Sequence, residues 1–105
     1  MRKKRKDRNH VIYMITCKTT GDKYVGLTVA KGRAFLRSAK IRFQKHVYRA
    51  KIEQADLPIS QLIRRKSPDA FLVEVLEIVR GKENAHKREL ELIKELGPTL
   101  NVLGK

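Results

Sequence analysis

The chain has 105 residues, 41% of them apolar and 34% charged, which is enough for one small globular core and too little for two. Its 25 Lys and Arg against 11 Asp and Glu give a formal net charge of +14, an imbalance that points to a polyanionic partner, nucleic acid first and an anionic membrane surface second. No apolar run approaches the ~20 residues of a membrane span, a lone Cys17 excludes an internal disulfide, and three scattered histidines without cysteine partners exclude a zinc site, so a soluble protein of a reducing, cytoplasmic setting is expected.

Residues 2–8, RKKRKDR, carry six basic side chains and nothing to anchor them in a core. Residues 1–9 are therefore expected to be a flexible basic arm, either a solvated tail or an arm laid on phosphate, ahead of one domain over residues 10–105. The domain opens with VIYMITC, residues 11–17, a β-branched and aromatic run, followed after Thr20-Gly21 by KYVGL, residues 23–27. A two-residue type I′ turn at Thr20-Gly21 would set Thr19 opposite Asp22 and Cys17 opposite Tyr24, with Tyr13 and Tyr24 on one face.

Residues 23–52 hold nine cations and no acid. Such a run is usually a solvated face, yet without an anion its charges repel along a helix, so it marks the expected polyanion footprint. Gly32 delays the helix to about residue 34, and Leu36, Ala39, Phe43, Val47 and Ala50 then fall in an arc of about 80°, the predicted buried stripe. Arg42 and His46 lie on its edge, beside a cleft towards the sheet, whereas Lys45 and Arg49 point outward. Ile41 and Tyr48 face away and would pack either on residues 28–40 or on a second subunit.

Leu57-Pro58 breaks the chain before a short helix from Ile59 to Arg65, and Ser67-Pro68-Asp69 closes it. The run FLVEVLEIV, residues 71–79, predicts a third strand, apolar enough to be central, with Glu74 and Glu77 on opposite faces and solvated at an edge. The last helix is predicted over residues 85–96, with Asn84 as N-cap and Gly97-Pro98 as stop. Its stripe is Ala85, Leu92, Ile93 and Leu96, and Glu89 sits at the angular centre where a leucine is expected. A carboxylate aimed at a core goes protonated unless a cation or a metal ion neutralises it; a plain ion pair with Arg42 or a lysine is the simpler alternative.

Five of these features in this order resemble the GIY-YIG nucleases. Val11-Ile12-Tyr13 and Tyr24-Val25-Gly26 stand for the two tripeptides, ten residues apart. Arg42 and His46 resemble the R-x-x-x-H motif, and Glu89 and Asn101 the remaining two. Val11 replaces a backbone-packing glycine, and the segment between Gly26 and Arg42 is several residues longer than in homing-type members. The resemblance spans about residues 10–103 and implies an α+β fold, a small three-stranded antiparallel sheet flanked by helices in the order β-β-α-α-β-α.

By that resemblance Tyr13 orients or deprotonates the attacking water, which requires nearby cations to lower its pKa. Arg42 clamps the scissile phosphate, and His46 and Tyr24 complete the cluster. Glu89 holds one divalent ion, magnesium with manganese as its substitute, while Gly26 and Asn101 give structural support. Lys31, Arg33, Arg37, Lys40, Lys45 and Arg49 are the expected nucleic-acid contacts. The implied activity is metal-dependent hydrolysis of DNA phosphodiesters, by nicking or double-strand cleavage. The alternative is a basic nucleic-acid-binding module that kept the fold without catalysis, and Glu89 separates the two, since an unmetallated acid repels phosphate. Specificity would come from the arm, from residues 28–40, or from a homodimer or partner chain; so short a free-standing domain suits a phage-encoded enzyme in a bacterial host.

Overall fold

A computed structural model of the chain describes residues 8–55 and 57–101. The elements run β1 (Asn9–Cys17), β2 (Lys23–Val29), α1 (Phe35–Lys51), α2 (Pro58–Arg65), a 3-10 turn (Pro68–Ala70), β3 (Phe71–Arg80) and α3 (Lys82–Leu96). The three strands form one antiparallel sheet in the order β2-β1-β3. Residues 1–7 of the expected arm lie outside the described residues, and β1 already begins at Asn9.

The sheet order puts the most apolar early strand, β1, in the centre. Val11, Ile12 and Ile15 are fully buried, each worth roughly 1.5–3 kcal/mol of burial. Alternation along β1 then creates two cores. Val11, Tyr13, Ile15 and Cys17 face α1 and α2 with Ala39, Ala50, Ile59 and Ile63, while Ile12 packs with Val25 and Leu92 on the side of α3. The third strand is thus an edge strand and not the central one its apolar run suggested; Leu72 and Ile78 remain exposed on it.

The β1–β2 register differs from the one a two-residue turn would give. Ile15 lies opposite Tyr24, and the Cys17 amide donates to the Asp22 carbonyl at 2.9 Å, so Lys18 to Gly21 form a four-residue loop. A type I′ turn needs positive φ at both central residues, and here Gly21 has it (φ 80°) while β-branched Thr20 does not. Because the slip is by two residues, Tyr13 and Tyr24 still share a face, with ring centroids 6.3 Å apart.

A bulge in the β1–β3 ladder corrects a second expectation. Tyr13 pairs with Val75 but Ile12 pairs with Glu77, so Leu76 is an extra residue. Glu74, opposite Met14, and Glu77, opposite Ile12, therefore lie on the same face, that of α3. There Glu77 accepts a hydrogen bond from Arg88 Nε at 2.9 Å.

Two helices begin or turn differently from their sequence patterns. In α1 the buried positions are Ser38, Ala39, His46 and Ala50, while Leu36 is exposed, because the helix packs on α2 as well as on the sheet. His46 is thereby a buried residue and not a boundary one. Ile41 and Tyr48 line a shallow depression with Lys45, Arg49 and Glu53. In α3 the N-cap is Gly81 (φ 92°), not Asn84, and Ala85 donates its amide to the Gly81 carbonyl. Leu96, placed in the stripe, is exposed, and Gly97 in the left-handed region ends the helix as expected.

Candidate active site

The chain after α3 folds back along the outer edge of β2. The Leu100 amide donates to the Lys23 carbonyl at 2.9 Å, and the Asn101 side chain bridges Val25 by two bonds of 2.8 Å, accepting from its amide and donating to its carbonyl. Asn101 thus acts as one more ladder residue and fixes the segment that carries Tyr24 and Gly26. Gly26 has its own reason. It lies opposite Tyr13, and a Cβ there would overlap the end of the Tyr13 ring, so only glycine lets that ring cross the strand.

Beneath the crossing ring lies the buried polar centre of the site. Tyr13 Oη and His46 Nε2 are 3.1 Å apart, and both residues are at most 4% exposed. The Tyr24 ring meets His46 edge-on at 5.0 Å between centroids. Burial, and then the neighbouring Arg42 and Arg49 guanidinium groups, lower the His46 pKa to about 4. The imidazole is therefore neutral at pH 7, and its Nε2 shares a hydrogen bond with the Tyr13 hydroxyl. Burial followed by the charge of Tyr24 raises the Tyr13 phenol above its ordinary range, against the opposing pull of Arg42. Arg42 lowers it as expected, by charge and by hydrogen bond, but desolvation of the phenolate is the larger effect and the net shift is upward. Burial raises Tyr24 as well.

A cleft of about 480 Å³ opens at the edge of β2 next to this pair, lined by Tyr13, Tyr24, Arg42 and Glu89 of the expected set. Arg42 reaches it from α1 on one face of the sheet and Glu89 from α3 on the other. The Arg42 Nε is buried and has no hydrogen-bond acceptor among the described residues, a donor left for a ligand. The side chain of Glu89 is 19% exposed, and its nearest basic group is His86 Nδ1 at 3.9 Å; no arginine or lysine among the described residues pairs with it. Burial raises its pKa, offset by His86. The plain ion pair with Arg42 or a lysine is thus not what the structure shows. A half-buried carboxylate on the wall of a cleft, with no arginine or lysine partner among the described residues, fits a hard divalent ion that keeps most of its waters. Among the described residues no group of three or more His, Cys, Asp or Glu could enclose a metal, so Glu89 would hold such an ion alone or nearly so.

None of Lys31, Arg33, Arg37, Lys40, Lys45 and Arg49 lines this cleft. All but the half-buried Arg49 are exposed, with Lys45 and Arg49 on the depression beside Tyr48 and Lys40 on a groove next to β3. Besides Arg42, the cations that do line it are Arg8 and Lys82, and the imidazoles of His10 and His86 stand beside them. The sequence alone places Arg8 in the arm and Lys82 ahead of the helix predicted over residues 85–96. The signal was available: Lys82, His86 and Glu89 stand at i, i+4 and i+7, one face of a helix that starts at Gly81.

A phenol–imidazole pair, a guanidinium and an inward carboxylate gathered at one sheet edge define a nuclease-type catalytic domain. The chain belongs to the GIY-YIG family: the model of the GIY-YIG catalytic domain matches residues 9–101. Among solved structures it is similar to the catalytic domain of the homing endonuclease I-TevI, with 22% identity and a TM-score of 0.66, covering 90% of this chain and 99% of that one. No curated protein sequence matches it significantly.

Proposed function

We propose that the chain is a divalent-metal-dependent endonuclease that hydrolyses DNA phosphodiester bonds in the cleft at the β2 edge. The observation that carries this reading is Glu89, a half-buried carboxylate that shares one cleft with Arg42, Tyr13 and Tyr24 and, among the described residues, has no arginine or lysine partner, only the His86 imidazole at 3.9 Å. The net charge of +14 supplies the attraction for DNA. The exposed Lys31, Arg33, Arg37, Lys40 and Lys45, with Arg49, would hold the duplex away from the reacting bond.

In this mechanism the Arg42 guanidinium, on the cleft wall, donates to the scissile phosphate and stabilises the charge that grows on its oxygens. Tyr13, held 3.1 Å from His46 Nε2, orients the attacking water, whose proton leaves to solvent, so neither a free phenolate nor an imidazolium has to form in a site that disfavours both. Tyr24 closes the wall beside His46 and excludes water from the pair. The P–O bond to the attacking water oxygen forms as the P–O3′ bond breaks, leaving a 5′-phosphate and a 3′ oxygen that takes a proton from solvent to become the 3′-hydroxyl. Glu89 would hold a magnesium or manganese ion, which when bound neutralises the leaving oxygen. A buried free thiol at Cys17 suits an intracellular setting.

Supercoiled plasmid incubated with magnesium tests this. Nicked or linear product is expected with the ion and none with chelator, while Glu89→Ala and Arg42→Ala abolish cleavage and retain DNA binding. Undiminished cleavage by both variants refutes the assignment; binding without cleavage by the native chain leaves the non-catalytic module.

A further inference from the structure

We infer that Arg8 and Lys82 form a second phosphate subsite in this cleft, which holds a phosphate of the same DNA strand next to the scissile one. The inference rests on the nuclease reading above for the identity of the strand. The two side chains come from segments 74 positions apart in sequence that the sheet brings to one end. The β1–β3 ladder closes with the pair Asn9 and Arg80, and the next bond runs from the Gly81 amide to the Arg8 carbonyl at 3.0 Å. The same carbonyl lies 3.0 Å from His10 Nδ1. Arg8 and Lys82 are therefore flanking residues of one fixed junction, and both line the cleft that holds Arg42 and Glu89.

Charge and space both ask for an anion here. Among the described residues the ion pairs are His86 with Glu89 and Arg88 with Glu77 and Glu91, so neither Arg8 nor Lys82 has an acidic partner. Two cations fixed at one junction repel each other unless an anion lies between them. The cleft of about 480 Å³ corresponds to roughly sixteen water volumes of ~30 Å³, more than one phosphate and one hydrated ion require. Arg42 enters from the α1 face and Lys82 from the α3 face, so a strand that touches both must cross the edge of β2. That edge is open in the right place. Residues 100 and 101 cover Lys23 and Val25, whereas Leu27, Thr28 and Val29 line the cleft. By the two-residue period of the strand, the Leu27 amide points the same way as that of Val25, outward from β1, and adds a backbone donor along the crossing.

The subsite is tested on the full chain with Arg8→Gln, Lys82→Gln and the double variant, with Lys82→Arg as the charge-conserving control. Affinity for a short duplex is measured by anisotropy in chelator over a range of salt. Each lost contact is expected to lower the slope of log K against log salt by ~0.9, and Lys82→Arg to keep it. In a scan of uncharged methylphosphonates along one strand, the native chain loses affinity at a position adjacent to the cut, and the double variant shows no such penalty. With magnesium, KM rises in the Gln variants while kcat is kept, as expected for groups that bind ground and transition states alike. Equal salt slopes in the native chain and the double variant, or a methylphosphonate penalty that persists in the double variant, overturn the subsite. Because binding is read in chelator, a chain that fails to cut but shows the slope change refutes only the nuclease reading.

Discussion

The buried neutral His46 makes the fold acid-sensitive in a window that can be worked out in advance. Its pKa falls from 6.5 in the unfolded chain to about 4 in the fold, because burial and then Arg42 and Arg49 disfavour the imidazolium. The unfolded chain therefore binds more protons between these two values, so stability rises with pH through the window and is lost as pH falls. At 1.36 kcal/mol per unit the full window is worth roughly 3 kcal/mol, and the part between pH 7 and pH 4.5 about 2 kcal/mol. Glu89 acts in the opposite sense, since a carboxyl whose pKa is raised in the fold gains stability on acidification. Urea unfolding of the native chain and of His46→Gln at both pH values separates the two. The drop in unfolding free energy from pH 7 to pH 4.5 is expected to be about 2 kcal/mol larger in the native chain. Equal drops would mean that His46 is solvated or charged in the fold, and the neutral Tyr13–His46 pair would have to be abandoned.

Gly26→Ala is expected to cost about 1–3 kcal/mol of stability by overpacking, since the added Cβ meets the end of a Tyr13 ring that is 1% exposed and held at His46; a melting curve reads this, and plasmid cleavage should fall with it. Asn101→Ala leaves the Val25 amide and carbonyl without their partner. A loss of roughly 1–3 kcal/mol is expected in urea unfolding, together with faster amide exchange at Val25, whereas Asn101→Asp retains the acceptor and should recover part of it.

Of the candidate site residues, Glu89 was legible because it breaks a local pattern, and Tyr13, Tyr24, Arg42 and His46 were legible through the resemblance of their motifs to the GIY-YIG nucleases. Glu89 interrupts an apolar stripe, Arg42 and His46 sit one turn apart in an acid-free helix, and Tyr13 and Tyr24 share a face under any register of the same parity. Turn and cap positions were less legible. Thr20-Gly21 and Asn84 are good local signals, but the two-residue turn would have required positive φ at a threonine, and Gly81 could start α3 earlier than Asn84 because the β1–β3 junction supplies an acceptor for its amide at Arg8.

Composition and periodicity by themselves determined one basic domain of strands and helices with an inward-facing acid at Glu89, since these follow from local residue preferences and spacing, while the resemblance to the GIY-YIG nucleases singled out Arg42, Tyr13 and Tyr24. The tertiary structure alone decided that β1 is central, that His46 is buried, that a bulge at Leu76 turns Glu77 towards Arg88, and that Arg8 and Lys82 join Arg42 in lining the cleft while the other cations of α1 do not. Those outcomes depend on strand order, helix rotation and desolvation, which arise from contacts between segments distant in the chain and leave no mark on the residues nearby.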